Sequence, residues 1–256
     1  MEISNGEVHI WYAYDEDINN ADLLSEYYNL LNAEERSKWG RFKFDKDRHQ
    51  YLITRALIRT TLSYYIDEVS PEMWFFDKNE YGKPFVSGYP ALKFNISHTE
   101  KLIVVAFIKD REIGVDVEYL PRVKRVMDIA DSFFSPLEIE QMNDLCEEKR
   151  EGRFIDLWTL KEAYIKACGK GLFVPLDSFG YAISQLGELD IIFYQEANDL
   201  FQYLQFWQIQ PTGDHKVSMA IKSYAEEKYS IKMRSIVPLS EIREVSYPIT
   251  HNRILS

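Results

Sequence analysis

Residues 158–172 read Trp-Thr-Leu-Lys-Glu-Ala-Tyr-Ile-Lys-Ala-Cys-Gly-Lys-Gly-Leu, a run of helix formers that stops at two glycines. At 3.6 residues per turn, Trp158, Glu162 and Lys166 share one stripe of the predicted helix, and Gly169 occupies its expected C-cap. A carboxylate and an ammonium group one turn apart could serve a phosphorylated substrate and its metal ion. The same spacing is also typical of a surface ion pair worth about 0.3–0.5 kcal/mol. Other segments must decide between these interpretations.

Composition limits the class of protein. The chain has 256 residues, 46% of them hydrophobic, which is enough to bury a sizeable core in one large or two small domains. Cys146 and Cys168 show neither a C-x-x-C nor a Cys/His ligand spacing, so we expect reduced thiols in a cytoplasmic protein. The sequence contains no signal-peptide pattern and no apolar run long enough to span a membrane, so a soluble protein is expected.

The charge distribution points to a small polyanionic ligand or an acidic partner. A net charge of −11 argues against binding to nucleic acid or to a membrane surface. Between Arg36 and Arg59, however, eight basic residues face two acidic ones, a local charge of +6. On a helix predicted near 46–66, Arg48, Arg55 and Arg59 fall within about 60° of each other and could hold phosphate. A solvated helix face is the alternative.

Predicted elements fall into two groups, with a polar joint near 109–112 between them. The first group has strands near 8–14, 74–76 and 102–108 and helices near 22–31 and 46–66. The run at 102–108 is apolar throughout and therefore predicts a central strand. The second group has a strand at 113–118, helices near 123–133, 136–148 and 153–168, and strands near 190–194, 203–209 and 216–221. In both groups helices precede a final apolar strand, a faint indication of duplication.

Residues 114–118, Gly-Val-Asp-Val-Glu, predict a strand with Asp116 and Glu118 on one face, roughly 6–7 Å apart. Two carboxylates so placed suit Mg²⁺, which prefers oxygen ligands and substrate phosphate. The alternative is an exposed acidic face on a half-buried strand. Like charges on one face destabilise it without a counterion, and Gly114 permits a close backbone approach.

Residues 94–98, Phe-Asn-Ile-Ser-His, place Ser97 and His98 just before the predicted central strand, where both could donate to phosphate. A Ser-His-Asp hydrolase is disfavoured because the chain lacks a G-x-S-x-G elbow and Ser97 directly adjoins His98. No glycine-rich phosphate loop of known pattern is present, so side chains would have to bind any nucleotide.

These segments together resemble a known family. F-N-I-S-H (94–98), G-V-D-V-E (114–118), F-F-S-P-L-E (133–138) and the 158–172 run occur in the order and spacing of the Sfp-type 4′-phosphopantetheinyl transferases. The basic segment, Y-G-K-P (81–84) and P-L-D-S-F (175–179) also fit, so the likeness extends over residues 8 to about 240.

The resemblance implies a fold and an activity. The fold is α+β, a pseudo-dimer of two similar α/β halves with the active site in the cleft between them. Accordingly we expect an N-terminal half at 1–112, which contacts the coenzyme, a C-terminal half at 113–240, which carries metal and catalytic residues, and a tail at 241–256. The activity is Mg²⁺-dependent transfer of 4′-phosphopantetheine from coenzyme A to a serine of an acyl or peptidyl carrier protein, releasing adenosine 3′,5′-bisphosphate. The resemblance also implies a monomer.

The resemblance also implies roles for individual residues. The catalytic residues would be Glu162 as the base, Lys166 and His98. The metal ligands would be Asp116, Glu118 and Glu162. The coenzyme contacts would be Lys38, Lys46, Arg48, Arg55, Gly82, Lys83, Pro84, Ser97, His98, Lys161 and Lys166. Lys161 matches a motif position but points about 100° from the Glu162 face, so either a substrate contact or a structural role is open. Glu35 stands where Bacillus-type members have a basic residue.

Two other functions remain open at this point. A scaffold or regulator could bind coenzyme A or a carrier protein without turnover, and a metal-dependent phosphoesterase could act on a nucleotide with water as the acceptor. The motifs specify neither the carrier protein, nor the pathway, nor tolerance for acylated coenzyme A.

Overall fold

The computed structural model describes residues 1–122, 130, 132–184, 187–194, 204–222 and 227–253. Its described helices are α1 (Ala21–Leu30), α2 (Ala33–Arg41), α3 (Asp45–Tyr65), α4 (Pro136–Asn143) and α5 (Glu147–Cys168). Its described strands are β1 (Glu7–Ala13), β2 (Phe76–Lys78), β3 (Pro84–Val86), β4 (Leu92–Thr99), β5 (Leu102–Lys109), β6 (Ile113–Tyr119), β7 (Phe179–Ile183), β8 (Leu189–Phe193), β9 (Leu204–Thr212), β10 (His215–Lys222), β11 (Ser230–Val237), β12 (Glu241–Val245) and β13 (Ile249–Arg253).

Two main sheets organise the chain. The first has the strand order β12-β11-β1-β5-β4 and the second has the order β13-β9-β10-β6. Helix α3 packs on one face of the first sheet, and α5 packs on β6 and β10 of the second. The described chain is therefore α+β with two halves, as the resemblance implied.

The inner faces of the two sheets share one core. Along β5, Val104 and Ala106 face the second sheet, whereas Ile103 and Val105 face the helices of the first half. Both faces of β5 are thus buried, because successive side chains of a strand point to opposite faces. The apolar run at 102–108 correctly predicted a central strand, which here lies between β1 and β4.

The last strands cross between the halves. β11 pairs in parallel with β1, and β12 pairs with β11, so 230–245 belong to the first sheet. β13 then pairs with β9 of the second sheet. The sequence had placed 113–240 in the C-terminal half and treated 241–256 as a tail. Sheet membership divides the chain differently, because the β1–β11 pair, which assigns 230–245 to the first sheet, joins residues more than 200 positions apart.

Other local predictions differ in detail. The strand expected at 74–76 begins at Phe76 and pairs with β3, after a 3₁₀ turn at Pro71–Met73. The helix expected at 136–148 ends at Asn143, and α5 begins at Glu147. The helix expected at 123–133 falls almost wholly outside the described residues. In the described part of the chain, no helix is both long enough and apolar enough to cross a membrane.

Gly114 allows α5 to lie directly on β6. A Cβ atom at this position would stand 2.0 Å from the carbonyl oxygen of Ala163 and 2.3 Å from the backbone nitrogen of Ala167. Both obstacles are backbone atoms of α5, so no side-chain rotation can relieve the clash. The glycine therefore sets the separation between the strand that carries Asp116 and the helix that carries Glu162.

Gly114→Ala should push α5 away from β6 and destabilise the protein by about 1–3 kcal/mol, the usual cost of overpacking. Gly152→Ala in the same helix is the matched control, since a Cβ there meets nothing within 4 Å. We expect it to stabilise by about 0.5–1 kcal/mol, because glycine is a poor helix former. Urea unfolding of both variants measures the difference, and equal stability of the two would contradict this account.

Candidate active site

Three side chains from three elements meet at one edge of the second sheet. The ammonium group of Lys166 on α5 donates to Asp116 Oδ1 on β6 at 2.6 Å and lies 2.9 Å from Ser97 Oγ on β4. The Ser97 hydroxyl in turn donates to Asp116 Oδ1 at 2.9 Å. Residues from both halves thus converge on one carboxylate. Its bond to Lys166 was not predicted, because spacing along the chain does not show which elements pack together.

The second oxygen of Asp116 is available to a ligand. Asp116 is only 5% exposed, and its Oδ2 atom is buried with no hydrogen-bond partner among the described residues. A buried carboxylate oxygen without a partner is unfavourable unless a cation or donor compensates it. This atom, next to the Lys166 ammonium, is the observation that favours a cation site here.

Glu162 lies one turn before Lys166 on α5. Burial raises the pKa of Glu162, the negative charge of Asp116 raises it further, and Lys166 opposes the shift. The influence of both neighbours on this pKa shows that the three groups share one electrostatic environment. A carboxyl group with a raised pKa holds a proton more readily, which suits a general base.

His98 belongs to the same environment. Burial lowers its pKa, and the positive charges of Lys166 and Lys38 lower it further. Lys38 of the basic segment is therefore close enough for its charge to act on His98. His98 is accordingly neutral at neutral pH and can still donate a hydrogen bond from one ring nitrogen.

A cavity of about 330 Å³ joins the two predicted parts of the site. One wall is the turn before β3, with Gly82 and Pro84, and the other is α5, with Glu162 and Lys166. We call this cavity the cleft. The turn and the helix belong to different halves, so the location predicted from the resemblance agrees with the geometry.

The predicted metal ligands do not form a ready-made set. In the described part of the chain, no group of three His, Cys, Asp or Glu side chains is arranged to hold a metal ion. Glu118 lies on the same face of β6 as Asp116, directly opposite Lys216 of β10 in the strand register. Joint metal binding by Asp116, Glu118 and Glu162 stays a prediction.

The basic segment splits into exposed and paired residues. Lys38 and Lys46 are exposed, and the Lys38 ammonium lies 5.1 Å from the centre of the Tyr51 ring. Arg48 is partly buried, with its guanidinium 5.3 Å from the Trp39 ring centre and a hydrogen bond to the carbonyl oxygen of Phe42. These three side chains remain the basic candidates for a phosphate contact.

Arg55 and Arg59 instead bind a carboxylate of their own half. Both form salt bridges with Glu35, that of Arg59 at 2.7 Å, and Arg59 is fully buried. Glu35, which stands where Bacillus-type members have a basic residue, is therefore the salt-bridge partner of two arginines. Because its guanidinium is committed to Glu35, Arg55 is less suited to bind the coenzyme than the sequence suggested.

Comparison with known proteins identifies the family. Residues 19–109 match the family model described as 4′-phosphopantetheinyl transferase, N-terminal, and residues 112–220 match the 4′-phosphopantetheinyl transferase superfamily. A 4′-phosphopantetheinyl transferase of Bacillus subtilis is 38% identical over 163 residues, covering 63% of this chain and 70% of the relative. The transferase Sfp of Bacillus subtilis strain 168 is 30% identical, covering 78% of this chain and 87% of the relative. The chain belongs to the 4′-phosphopantetheinyl transferase family. The family prediction from the sequence is thus confirmed.

One motif residue of this transferase has a structural role. Lys161 is fully buried and donates to Glu138 at 2.9 Å and to the carbonyl oxygens of Leu176 and Phe179 at 2.6 Å each. Burial lowers the pKa of Lys161, while Glu138 opposes the shift. The prediction that Lys161 contacts the coenzyme is wrong: its side chain points into the core of the second half. The 100° offset from Glu162 was the signal for this.

The side chain of Lys83 also points away from the cleft. Its ammonium group donates to Glu112 and to two carbonyl oxygens of the second half. The turn, including Lys83, still lines the cavity, but the ammonium group of Lys83 is bound to these three acceptors. Sequence analysis missed Asn79 and Glu112, the partners that hold this turn, because neither belongs to a recognised motif.

Proposed function

We propose that this transferase moves the 4′-phosphopantetheine group from coenzyme A to a serine hydroxyl of an acyl or peptidyl carrier protein and releases adenosine 3′,5′-bisphosphate. The single observation that carries the mechanism is that Lys166, which binds Asp116 at 2.6 Å, lines the cavity between the two halves together with Glu162. The protein would act in the cytoplasm, as a monomer, since both walls of the cleft come from one chain.

Glu162 is the proposed base. In the transfer, the carrier serine oxygen forms a bond to the phosphorus next to the pantetheine, and the bond from that phosphorus to the bisphosphate oxygen breaks. The serine proton passes to the Glu162 carboxylate, directly or through a water molecule. The Lys166 ammonium lies one turn away and stabilises the negative charge that develops on the leaving group.

Mg²⁺ suits the donor set of the cleft. The buried Oδ2 atom of Asp116 lacks a hydrogen-bond partner among the described residues, and carboxylate oxygens are the ligands that Mg²⁺ prefers. Asp116, with Glu118 and Glu162, would hold the ion. When bound, it neutralises charge on the pyrophosphate of the coenzyme.

Coenzyme A would lie along the cleft between the two halves. Ser97 and His98 would hold its phosphates, the Gly82–Pro84 turn would lie against the adenine, and Lys38 and Lys46 would bind the 3′-phosphate. Arg48 would support them. Neutral His98 donates to a phosphate oxygen without adding charge, whereas the exposed lysines supply the positive charge that the anionic coenzyme needs.

The direct test incubates a panel of apo carrier proteins with coenzyme A, Mg²⁺ and this protein, and measures carrier mass. Gain of one phosphopantetheine unit on a carrier is the expected result, with a Glu162→Gln protein as the inactive control. Failure to modify any carrier would contradict the proposal. Calorimetric binding of the coenzyme without turnover would indicate a scaffold, and release of phosphate or a nucleotide to water would indicate a phosphoesterase.

Glu162→Gln also gives a stability prediction with a defined sign. The pKa of Glu162 in the folded state is raised above its ordinary value of 4.5. Its contribution to stability is therefore complete below pH 4.5 and is lost as the pH rises through the folded-state pKa. Without divalent cations, the melting temperature of the variant should therefore rise relative to that of the parent as the pH increases above 4.5. A pH-independent difference would show that Glu162 is not desolvated.

A further inference from the structure

The turn between β2 and β3 docks on the C-terminal end of α5. Asn79 Nδ2 donates to the carbonyl oxygen of Gly169 at 2.8 Å. The other amide atom, Oδ1, accepts from the backbone nitrogens of Tyr81 and Lys83 at 3.0 and 2.9 Å. One asparagine side chain thus shapes the turn of the first half and attaches it to the helix of the second half.

Lys83 makes a second attachment beside it. Its ammonium group donates to Glu112 Oε2 at 2.9 Å, to the carbonyl oxygen of Ile113 at 3.0 Å and to that of Ala167 at 3.4 Å. An ammonium group has three donors, and three acceptors occupy them. Because all three donors are occupied and the side chain is only 14% exposed, the Lys83 ammonium has no donor left for a coenzyme phosphate.

The contact is close because Gly169 has no side chain. Gly169 caps α5 in the left-handed conformation, with φ of +68°. A Cβ at this position would stand 3.1 Å from Lys83 Cδ and 3.2 Å from Asn79 Nδ2. The helix cap predicted from the 158–172 run is therefore also the surface on which the turn rests.

This attachment determines the width of the cleft. Gly82 and Pro84 of the turn form one wall of the cavity, and Glu162 and Lys166 of α5 form the other. The two walls belong to different halves, and in the described part of the chain Asn79 and Lys83 are the polar side chains that tie the turn to the end of α5. A turn that moved outward would separate the adenine side of the cleft from its catalytic side.

We propose that Asn79 and Lys83 are positioning residues that clamp the β2–β3 turn to the end of α5 and so set the cleft to the width of coenzyme A. The polar groups of both side chains bind the turn and the end of α5 and are therefore not donors to the substrate. The expected effect of the clamp on coenzyme binding rests on the proposed function. Its effect on the stability of the last turn of α5 does not depend on that function.

Lys93 offers a matched control on the same carboxylate. Its ammonium group lies 3.2 Å from Glu112 Oε1, but its salt bridge is on the surface of the first half, and its side chain is 33% exposed. Lys93→Met and Lys83→Met therefore each remove one lysine from Glu112, and the Lys83 change alone releases α5. Methionine keeps the packing of the lysine stem.

The kinetic test compares Asn79→Ala, Lys83→Met, their double variant and Lys93→Met. Both clamp variants should raise the KM for coenzyme A about tenfold, because small misplacement of a binding wall is costly, with kcat changed less than about twofold. The double variant should have the same KM for coenzyme A as the single variant with the higher KM, because both changes break the same clamp and their effects do not add. Lys93→Met should match the parent.

Two results would overturn the clamp. A raised KM in Lys83→Met with a normal KM in Asn79→Ala would mean that the ammonium group contacts the coenzyme directly. An unchanged KM in both variants, or the same increase in Lys93→Met, would mean that the turn does not set the cleft.

Hydrogen exchange tests the clamp without any enzymatic assay. The backbone nitrogen of Gly169 donates to the carbonyl oxygen of Ile165 at the end of α5. Amide exchange in this last turn should accelerate in Asn79→Ala and Lys83→Met and stay at the parent rate in Lys93→Met. Unchanged exchange in the clamp variants would refute the clamp, whereas faster exchange in a protein that modifies no carrier would refute the proposed function alone.

Discussion

Asp116→Ala is expected to lower the rate of phosphopantetheinyl transfer by about 10³-fold, the upper range for losing one electrostatic group of an active site. The Oδ2 atom of Asp116 has no hydrogen-bond partner among the described residues, and its Oδ1 atom accepts from the Lys166 ammonium at 2.6 Å. Its loss would remove the proposed metal ligand and release the lysine that faces the leaving group. Carrier mass spectrometry at fixed Mg²⁺ measures the effect.

The fold should tolerate the change. Asp116 is at the edge of its sheet, and alanine there removes no apolar contact from the shared core. The Lys166 side chain is 26% exposed and can turn to solvent once its partner is gone. The variant loses the ion pair with Lys166, but it also loses the free-energy cost of burying a carboxylate oxygen without a hydrogen-bond partner. These two effects on stability offset each other. Thermal unfolding should therefore remain close to that of the parent.

Asp190→Ala is the control for Asp116→Ala. Asp190 on β8 is 66% exposed and makes a surface pair with Arg253 at 3.4 Å, so its removal deletes the same chemical group outside the cleft. Transfer should stay within about twofold of the parent rate, as is usual for surface substitutions. Full activity of the Asp116 variant at ordinary Mg²⁺ concentrations would remove Asp116 from the proposed metal site.

Lys161→Met is expected to destabilise the protein by about 3–5 kcal/mol, because it leaves the Glu138 carboxylate buried without its counterion. Both side chains are fully buried. The Glu138 carboxylate also accepts from the backbone nitrogens of Ser135 and Tyr181, so it joins the start of α4 to β7. The released carbonyl oxygens of Leu176 and Phe179 would add to the cost.

The double variant Glu138→Gln/Lys161→Met separates the contribution of the ion pair from that of the other hydrogen bonds of Lys161 and Glu138. It removes both charges, so it should lose less stability than the sum of the two single variants. Urea unfolding measures all three. Coenzyme affinity of folded Lys161→Met protein should equal that of the parent; a weaker affinity would restore the coenzyme contact that the motif implied.

Side-chain direction was largely predictable from the sequence. Period-2 alternation correctly placed Asp116 and Glu118 on one face of β6, and helix periodicity correctly placed Glu162 and Lys166 together on α5. The 100° offset of Lys161 correctly separated it from that stripe. These results are local, because backbone geometry alone fixes which residues of one element share a face.

Partner choice was not predictable. Arg55 and Lys83 were both predicted to contact the coenzyme, yet Arg55 binds Glu35 and the Lys83 ammonium binds carbonyl oxygens of the second half. The β11 and β12 pairing with the first sheet was missed for the same reason. Each of these contacts depends on which distant segment packs against the residue or strand, and the spacing of residues along the chain does not specify that segment.

The sequence by itself therefore determined the family, the order of the main elements and the acid and base groups on the 158–172 helix. Tertiary structure decided what those groups do in the cleft: Lys166 holds Asp116, and Lys161 supports the core. The physical reason is the approach of α5 to β6, which Gly114 permits and which brings residues 50 positions apart to within 2.6 Å. Local backbone geometry fixes the face of the element on which a side chain lies, and long-range packing decides which residue it contacts.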